Sequence, residues 1–183
     1  MRLTHRAHEA VSRVLEEGGT AVDATAGNGY DTLFLARQVG SSGRVWAFDI
    51  QQEAVDSTGQ RLRDNGVADR VNVIRASHAS MENHLPERVR LRIGAVMFNL
   101  GYLPGSDRSR VTRAETTLLA LEQAGAWLRP GGLVSLLVYR SHPGGREEWQ
   151  AVRRWLGERG LEYQCSGVMD NDSATPLLLL FGR

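Results

Sequence analysis

Asp23-Ala24-Thr25-Ala26-Gly27-Asn28-Gly29-Tyr30-Asp31-Thr32 stands between a short apolar run (Thr20, Ala21, Val22) and a helical pattern (Leu33, Phe34, Leu35, Ala36). The order is strand, glycine-rich turn, helix N-terminus. Glycines let backbone N–H groups approach a ligand, and the start of a helix favours negative charge. Gly27 and Gly29 supply the first two glycines of a G-x-G-x-x-G dinucleotide turn, but the third position is Thr32, so that fingerprint is incomplete. Asp23 lies four residues before the first glycine, where a carboxylate would repel a pyrophosphate. It suits a ligand that carries an ammonium group instead.

S-adenosylmethionine (SAM) is such a ligand, with an amine on its methionyl end and a cationic sulfonium. On this reading Asp23, Ala24, Gly27, Asn28, Gly29, Asp31 and Thr32 belong to the cofactor site, with Asp23 meeting the amine. An NAD-dependent oxidoreductase built on the same turn is the rival enzyme class. Thr32 and the early Asp23 count against it.

The chain has 183 residues, enough for one domain over 1–183 with a core that needs neither disulfide nor metal. Its net charge is +1, so any nucleic-acid binding must come from local clustering. All 22 basic residues are Arg, a bias read as compositional, although Arg serves phosphate recognition well. A single Cys165 excludes an intrachain disulfide and offers no metal cluster. No long apolar span or signal pattern is seen, which makes the cytoplasm the expected location and membrane association unexpected.

Residues 4–17 read as an amphipathic helix capped by Thr4 and stopped by Gly18-Gly19, with His8 near its start read as a surface residue, although a helix leading into the first strand can cover the cofactor cleft. The second strand, 44–49, ends in Asp49, twenty positions beyond Gly29, where a carboxylate accepts hydrogen bonds from ribose hydroxyls. Ile50 and Gln51 follow at the same sugar, and a helix spans 52–65. The third strand, 71–74, leads to Ser77 and His78, placed to contact adenine; for His78 a solvated loop position is an equal reading. The fourth strand, 93–98, is an apolar run that opens into Asn99-Leu100-Gly101-Tyr102-Leu103-Pro104-Gly105. At the carboxyl end of a central strand, the Asn99 side-chain oxygen can accept an N–H from a target amine and aim its lone pair, while Tyr102 stacks on a planar base. Arg108, Arg110 and Arg113 precede a helix over 111–128 and form a candidate phosphate patch, or a plain solvated face. A Pro130-Gly131-Gly132 turn enters a fifth strand, 133–139, ending at Tyr139. Beyond it, His142 is a candidate proton acceptor, and Gly144 with Arg146 can hold a phosphate or base edge at the start of a helix reaching Arg159. Strands at 162–169 and 177–181, joined by a 171–176 turn, predict an antiparallel hairpin at the sheet edge.

With these stretches in place, the chain resembles the small class I SAM-dependent methyltransferases of the rRNA methylase family over nearly its whole length. The resemblance is carried by Ala7-His8, the Asp23 to Ala36 run, Phe48-Asp49-Ile50-Gln51, Phe98-Asn99-Leu100-Gly101-Tyr102-Leu103-Pro104-Gly105, Thr116-Thr117, and Tyr139 with His142-Pro143-Gly144. The chain departs from the family where Tyr30 replaces a common His, where Arg140-Ser141 precedes His142, and where Arg146 replaces a Lys. The resemblance implies an α/β Rossmann-like fold, a mostly parallel seven-stranded sheet with a C-terminal antiparallel hairpin. It also implies SAM as cofactor, a homodimer, and methylation of 5-aminomethyl-2-thiouridine at the wobble position in the anticodon region of tRNA. Substrate contacts then fall to Tyr102, Arg108, Arg110, Arg113, Tyr139, His142, Gly144 and Arg146, and catalytic roles to Asn99, Tyr102 and His142. Methylation of rRNA or a small amine, and a SAM- or RNA-binding module without activity, are the alternatives.

Overall fold

Strand residues that alternate between two apolar faces need cover on both sides, and this chain provides it. The computed structural model describes residues 2–102, 111–169 and 174–183. Strands β1 (Thr20–Asp23), β2 (Arg44–Asp49), β3 (Val71–Arg75), β4 (Ile93–Leu100), β5 (Leu128–Val138), β6 (Gln164–Ser166) and β7 (Leu177–Gly182) form one sheet in the order β3-β2-β1-β4-β5-β7-β6. The first five strands run parallel, and β7 is antiparallel to both β5 and β6. The α/β class I methyltransferase architecture expected from the sequence is therefore the one observed, edge hairpin included.

Helices α1 (Leu3–Ser12), α2 (Tyr30–Gln38) and α3 (Gln52–Asp64) cover one face; α4 (Ala114–Trp127) and α5 (Gly145–Glu158) cover the other. Period-two alternation sorts the strands between them. Ala21, Val45, Ala95, Met97 and Leu137 pack with Val11, Leu35 and Leu62, while Val22, Trp46, Val96, Phe98 and Leu136 pack with Leu121, Trp149 and Val152. On α5 the buried Trp149, Val152 and Leu156 recur at helical spacing, which seats that helix on the sheet.

Several boundaries differ from the sequence reading. The first helix stops at Ser12 rather than residue 17, and its N-cap is Arg2, with no side-chain cap, rather than Thr4. Beyond Ser12 the chain continues in tighter turns that bring Leu15 into the core. Helix α4 begins at Ala114, three residues late, because Val111 pairs in extended form with Tyr102 and the Thr112 N–H bonds to the Gly101 carbonyl. Strand β4 runs on through Asn99 and Leu100. Strand β5 starts at Leu128, with a register shift opposite Ile93 and Ala95 that absorbs the Pro130-Gly131-Gly132 segment. Strand β6 is only three residues long.

The sheet order reverses between β1 and β4, and the crevice beyond the carboxyl ends of these strands is where open α/β sheets bind ligands. Among the described residues, no helix is long and apolar enough to cross a membrane, and no group of three or more His, Cys, Asp or Glu could hold a metal ion.

Candidate active site

A cleft of about 1020 Å³ opens at that reversal, large enough for a nucleoside-sized cofactor and part of a substrate. Residues at the carboxyl ends of all five parallel strands line it: Thr25 after β1, Asp49 on β2, Ser77 after β3, Asn99 on β4 and Tyr139 after β5.

The glycine turn is held from below. Asp23 is fully buried, its Oδ2 accepting from the Thr32 hydroxyl at 2.5 Å and its Oδ1 from the Thr25 backbone N–H at 3.1 Å. Burial, reinforced by Asp31, pushes its carboxyl from 3.8 up to about 7 against the opposing hydrogen bonds from Thr32 and Thr25. Asp23 and Thr32 lie beneath the cleft lining and not on it: the strand's alternation turns the Asp23 carboxylate inward, where it braces the turn. Gly29 caps α2 with φ +77°, and a Cβ there would lie 2.9 Å from the Thr58 Cα, so this glycine allows α3 to pack closely. Ala24, Gly27, Asn28 and Asp31 do line the cleft.

Asp49 grips the loop from the next strand. Its Oδ2 accepts from the Gly27 N–H and its Oδ1 from the Gln51 N–H, both at 2.9 Å. Each oxygen keeps lone-pair capacity for a further donor. Ile50, Gln51, Ser77 and His78 complete this end of the cleft. Ser77 caps the following short helical turn by accepting from the Ala79 N–H. His78 is buried, and burial lowers its imidazole from 6.5 to about 4 even though a hydrogen bond with the Ala24 backbone works the other way. The ring is therefore neutral around pH 7, which decides between the two readings of His78: it is a buried cleft residue and not a solvated one.

At the opposite end stands a chain of three side chains drawn from distant parts of the sequence. His8 Nε2 meets Asp31 Oδ1 at 2.6 Å, and Asn99 Nδ2 donates to Asp31 Oδ2 at 2.7 Å. The His8 ring stacks on Phe34, centroids 3.9 Å apart and planes 4° from parallel. The sequence reading of His8 as a surface residue missed this, since nothing local links it to a residue 23 positions away. Because a carboxylate only accepts, the Asn99 amide must present its NH₂ to Asp31, and its Oδ1 is turned elsewhere as an acceptor. The Asn99 backbone N–H is held by the Thr25 hydroxyl at 2.7 Å.

Around this end, Tyr102, Arg113 and Tyr139 line the cleft. Burial, then the nearby Asp31, raises the Tyr139 hydroxyl above its ordinary value. Gly101 gives that ring room, since a Cβ there would sit 3.4 Å from it. Tyr30 lines the rim with its ring under the Arg61 guanidinium, 3.7 Å from the ring centroid. Arg108 and Arg110 lie outside the described residues.

Three expected substrate contacts are not brought to the cleft. His142 is buried behind Tyr102, the two rings edge-on at 6.4 Å, and its Nδ1 donates to the Pro143 carbonyl. It belongs to a buried support with Glu148, which accepts from Thr112 and Thr117 at 2.7 and 2.6 Å. Gly144 caps α5 with φ +82°, and Arg146 lies on the exposed side of that helix; neither lines the cleft.

Comparison with known proteins agrees with this fold. A tRNA (mnm5s2U34)-methyltransferase, chloroplastic, from Arabidopsis thaliana is 44% identical over 82% of this chain, and the chain spans 57% of that protein's length. A Clostridium thermocellum crystal structure described as an rRNA methylase superposes with a TM-score of 0.91 at 36% identity, covering 100% of this chain and 97% of the other. A Streptococcus mutans methyltransferase solved in complex with SAH gives 0.85 at 30% identity, covering 99% and 97%. The family model described as "Putative rRNA methylase" matches residues 45–180, and with the fold and cleft already in hand this chain belongs to that family of class I methyltransferases.

Proposed function

We propose that this methyltransferase carries the methyl group of SAM to the primary aminomethyl nitrogen of 5-aminomethyl-2-thiouridine at the tRNA wobble position, giving 5-methylaminomethyl-2-thiouridine. When bound, SAM supplies a methyl on a cationic sulfur whose departure leaves a neutral thioether. The cleft suits it, with the Asp49 carboxylate at the end that takes the ribose and the Asp31 carboxylate at the opposite end, beside Asn99. Gly27 and Asn28 hold the methionyl end, Asp49 and Gln51 the ribose, and Ser77 with the neutral His78 the adenine. Tyr102 and Tyr139 flank the uracil, and Arg113 at the cleft edge takes a phosphate.

The observation that carries this reading is the orientation of Asn99. One of its amide N–H groups is given to Asp31, so its Oδ1 is the acceptor at the sheet reversal, where a primary amine can donate to it. Positioning of this kind supplies much of the acceleration for a reaction whose leaving group needs no help. The name of the Arabidopsis relative supports the acceptor. Action on the anticodon region and a homodimeric state are what the family resemblance implies, and a cytoplasmic location rests on the reading of the sequence alone.

The test is labelled SAM with tRNA that carries aminomethyl at the wobble uridine, against the same tRNA without it. Label only on the first supports the reading; equal or no transfer refutes it. Asn99→Ala should lower turnover far more than SAM affinity. Equal loss of both would make Asn99 a cofactor ligand.

A further inference from the structure

We infer that Asp31 is a second acceptor for the target amine, paired with Asn99, and that His8 is its positioning residue. The inference rests on the proposed amine chemistry and adds a residue and a specificity to it.

A primary amine carries two N–H bonds and one lone pair. Asn99 Oδ1 and Asp31 Oδ2 belong to side chains already joined by a 2.7 Å hydrogen bond, and both line the cleft. If each takes one N–H, the lone pair has one direction left, toward the methyl group. The lone pair forms the new N–C bond while the C–S bond breaks and its electrons stay on sulfur. The nitrogen ends as a secondary ammonium that keeps both hydrogens, one on each acceptor. Positive charge has moved from sulfur to nitrogen, beside the Asp31 carboxylate. A fixed charge placed where charge develops favours the transition state over the ground state.

A carboxylate can do this only if it is aimed. Asp31 sits in the first turn of α2, where the helix favours negative charge, and its other oxygen is tied to His8 at 2.6 Å. His8 in turn is locked by its stack on Phe34. The Asp31 charge is also felt by Asp23 and Tyr139, both of which it pushes up. A methylated nitrogen, once neutral again, has a single N–H to offer and would press a methyl against one acceptor. The site therefore selects primary over secondary amines and stops at one methyl.

The experiment compares wild type, Asp31→Asn, His8→Gln and His8→Leu, each checked for thermal unfolding and for SAH affinity by calorimetry. Asp31→Asn should slow single-turnover transfer to aminomethyl-tRNA on the order of 100-fold with SAH affinity retained. In the presence of SAH, it should also lose the preference for aminomethyl-tRNA over the unmodified tRNA in binding. His8→Gln keeps a donor to Asp31 and should retain most of the rate; His8→Leu should lose it. An unchanged rate in Asp31→Asn, a parallel loss of SAH affinity, or dimethylated product from wild type would overturn the inference. Absence of transfer by wild type would instead refute the function proposed above, which keeps the two failures distinct.

Discussion

Thr32 donates its hydroxyl hydrogen to Asp23 across 2.5 Å, with both side chains fully buried. The bond ties the end of β1 to the first turn of α2 and so fixes the curvature of the glycine turn between them. The acid stands in the strand-end position that suggests cofactor contact, and it works from inside the protein.

That burial has a consequence for stability. Asp23 titrates near 7 in the folded protein and at 3.8 in the unfolded chain, so the folded state binds the proton more tightly across this window. Its contribution is fully present below about pH 4 and is lost as pH rises toward 7. Asp23→Asn removes that loss. Denaturant unfolding at pH 4.5 and pH 8 should show the variant gaining on wild type at the higher pH; an identical pH slope in both proteins would contradict the assignment.

His78 acts in the opposite sense. Its folded value of about 4 lies below the unfolded 6.5, so its contribution is complete above pH 6.5 and fades as pH falls toward 4. The two titrations oppose each other over nearly the same range, which flattens the wild-type profile. His78→Gln should leave stability that falls more steeply as pH rises. Imidazole NMR should show the His78 ring neutral from pH 8 down to about 5, and protonation near 6.5 would show that it is not buried as described.

Asp49→Ala removes the acceptor for the Gly27 and Gln51 N–H groups together with the proposed ribose contact. Hydrogen bonds to a charged group are each worth about 1.5–3 kcal/mol, so SAM affinity should fall by roughly 10- to 100-fold. Calorimetry reads this directly. Unchanged affinity would remove Asp49 from the ribose.

Gly29→Ala forces a side chain into a left-handed backbone position and against Thr58. The strain and overpacking should cost about 2–4 kcal/mol. Thermal unfolding measures the loss, and SAH binding to the fraction still folded should be near normal, because Gly29 does not line the cleft.

The parts of this protein legible in the sequence are those governed by local rules. Strand periodicity, the glycine turn and the turn before β5 set out the order of strands and helices, and the family resemblance added the class of the seven-stranded sheet. Knowing that ligands gather at strand carboxyl ends picked out Asp49, Ser77 and Asn99, and the family resemblance added Tyr139; all four line the cleft. What sequence position does not encode is the direction of a side chain once neighbouring strands have paired. Asp23 and Asp31 stand eight residues apart in one motif, yet strand alternation buries the first while the helix start presents the second to the cleft. His8 and Asn99 meet Asp31 from 23 and 68 residues away, contacts made only when α1 and β4 close around α2. His142 followed the same strand-end logic as Asn99 and turned inward behind Tyr102, because Glu148 and the Pro143 carbonyl lie on the buried side. Local chemistry thus determined the fold and the location of the site, and long-range packing decided which polar groups face it.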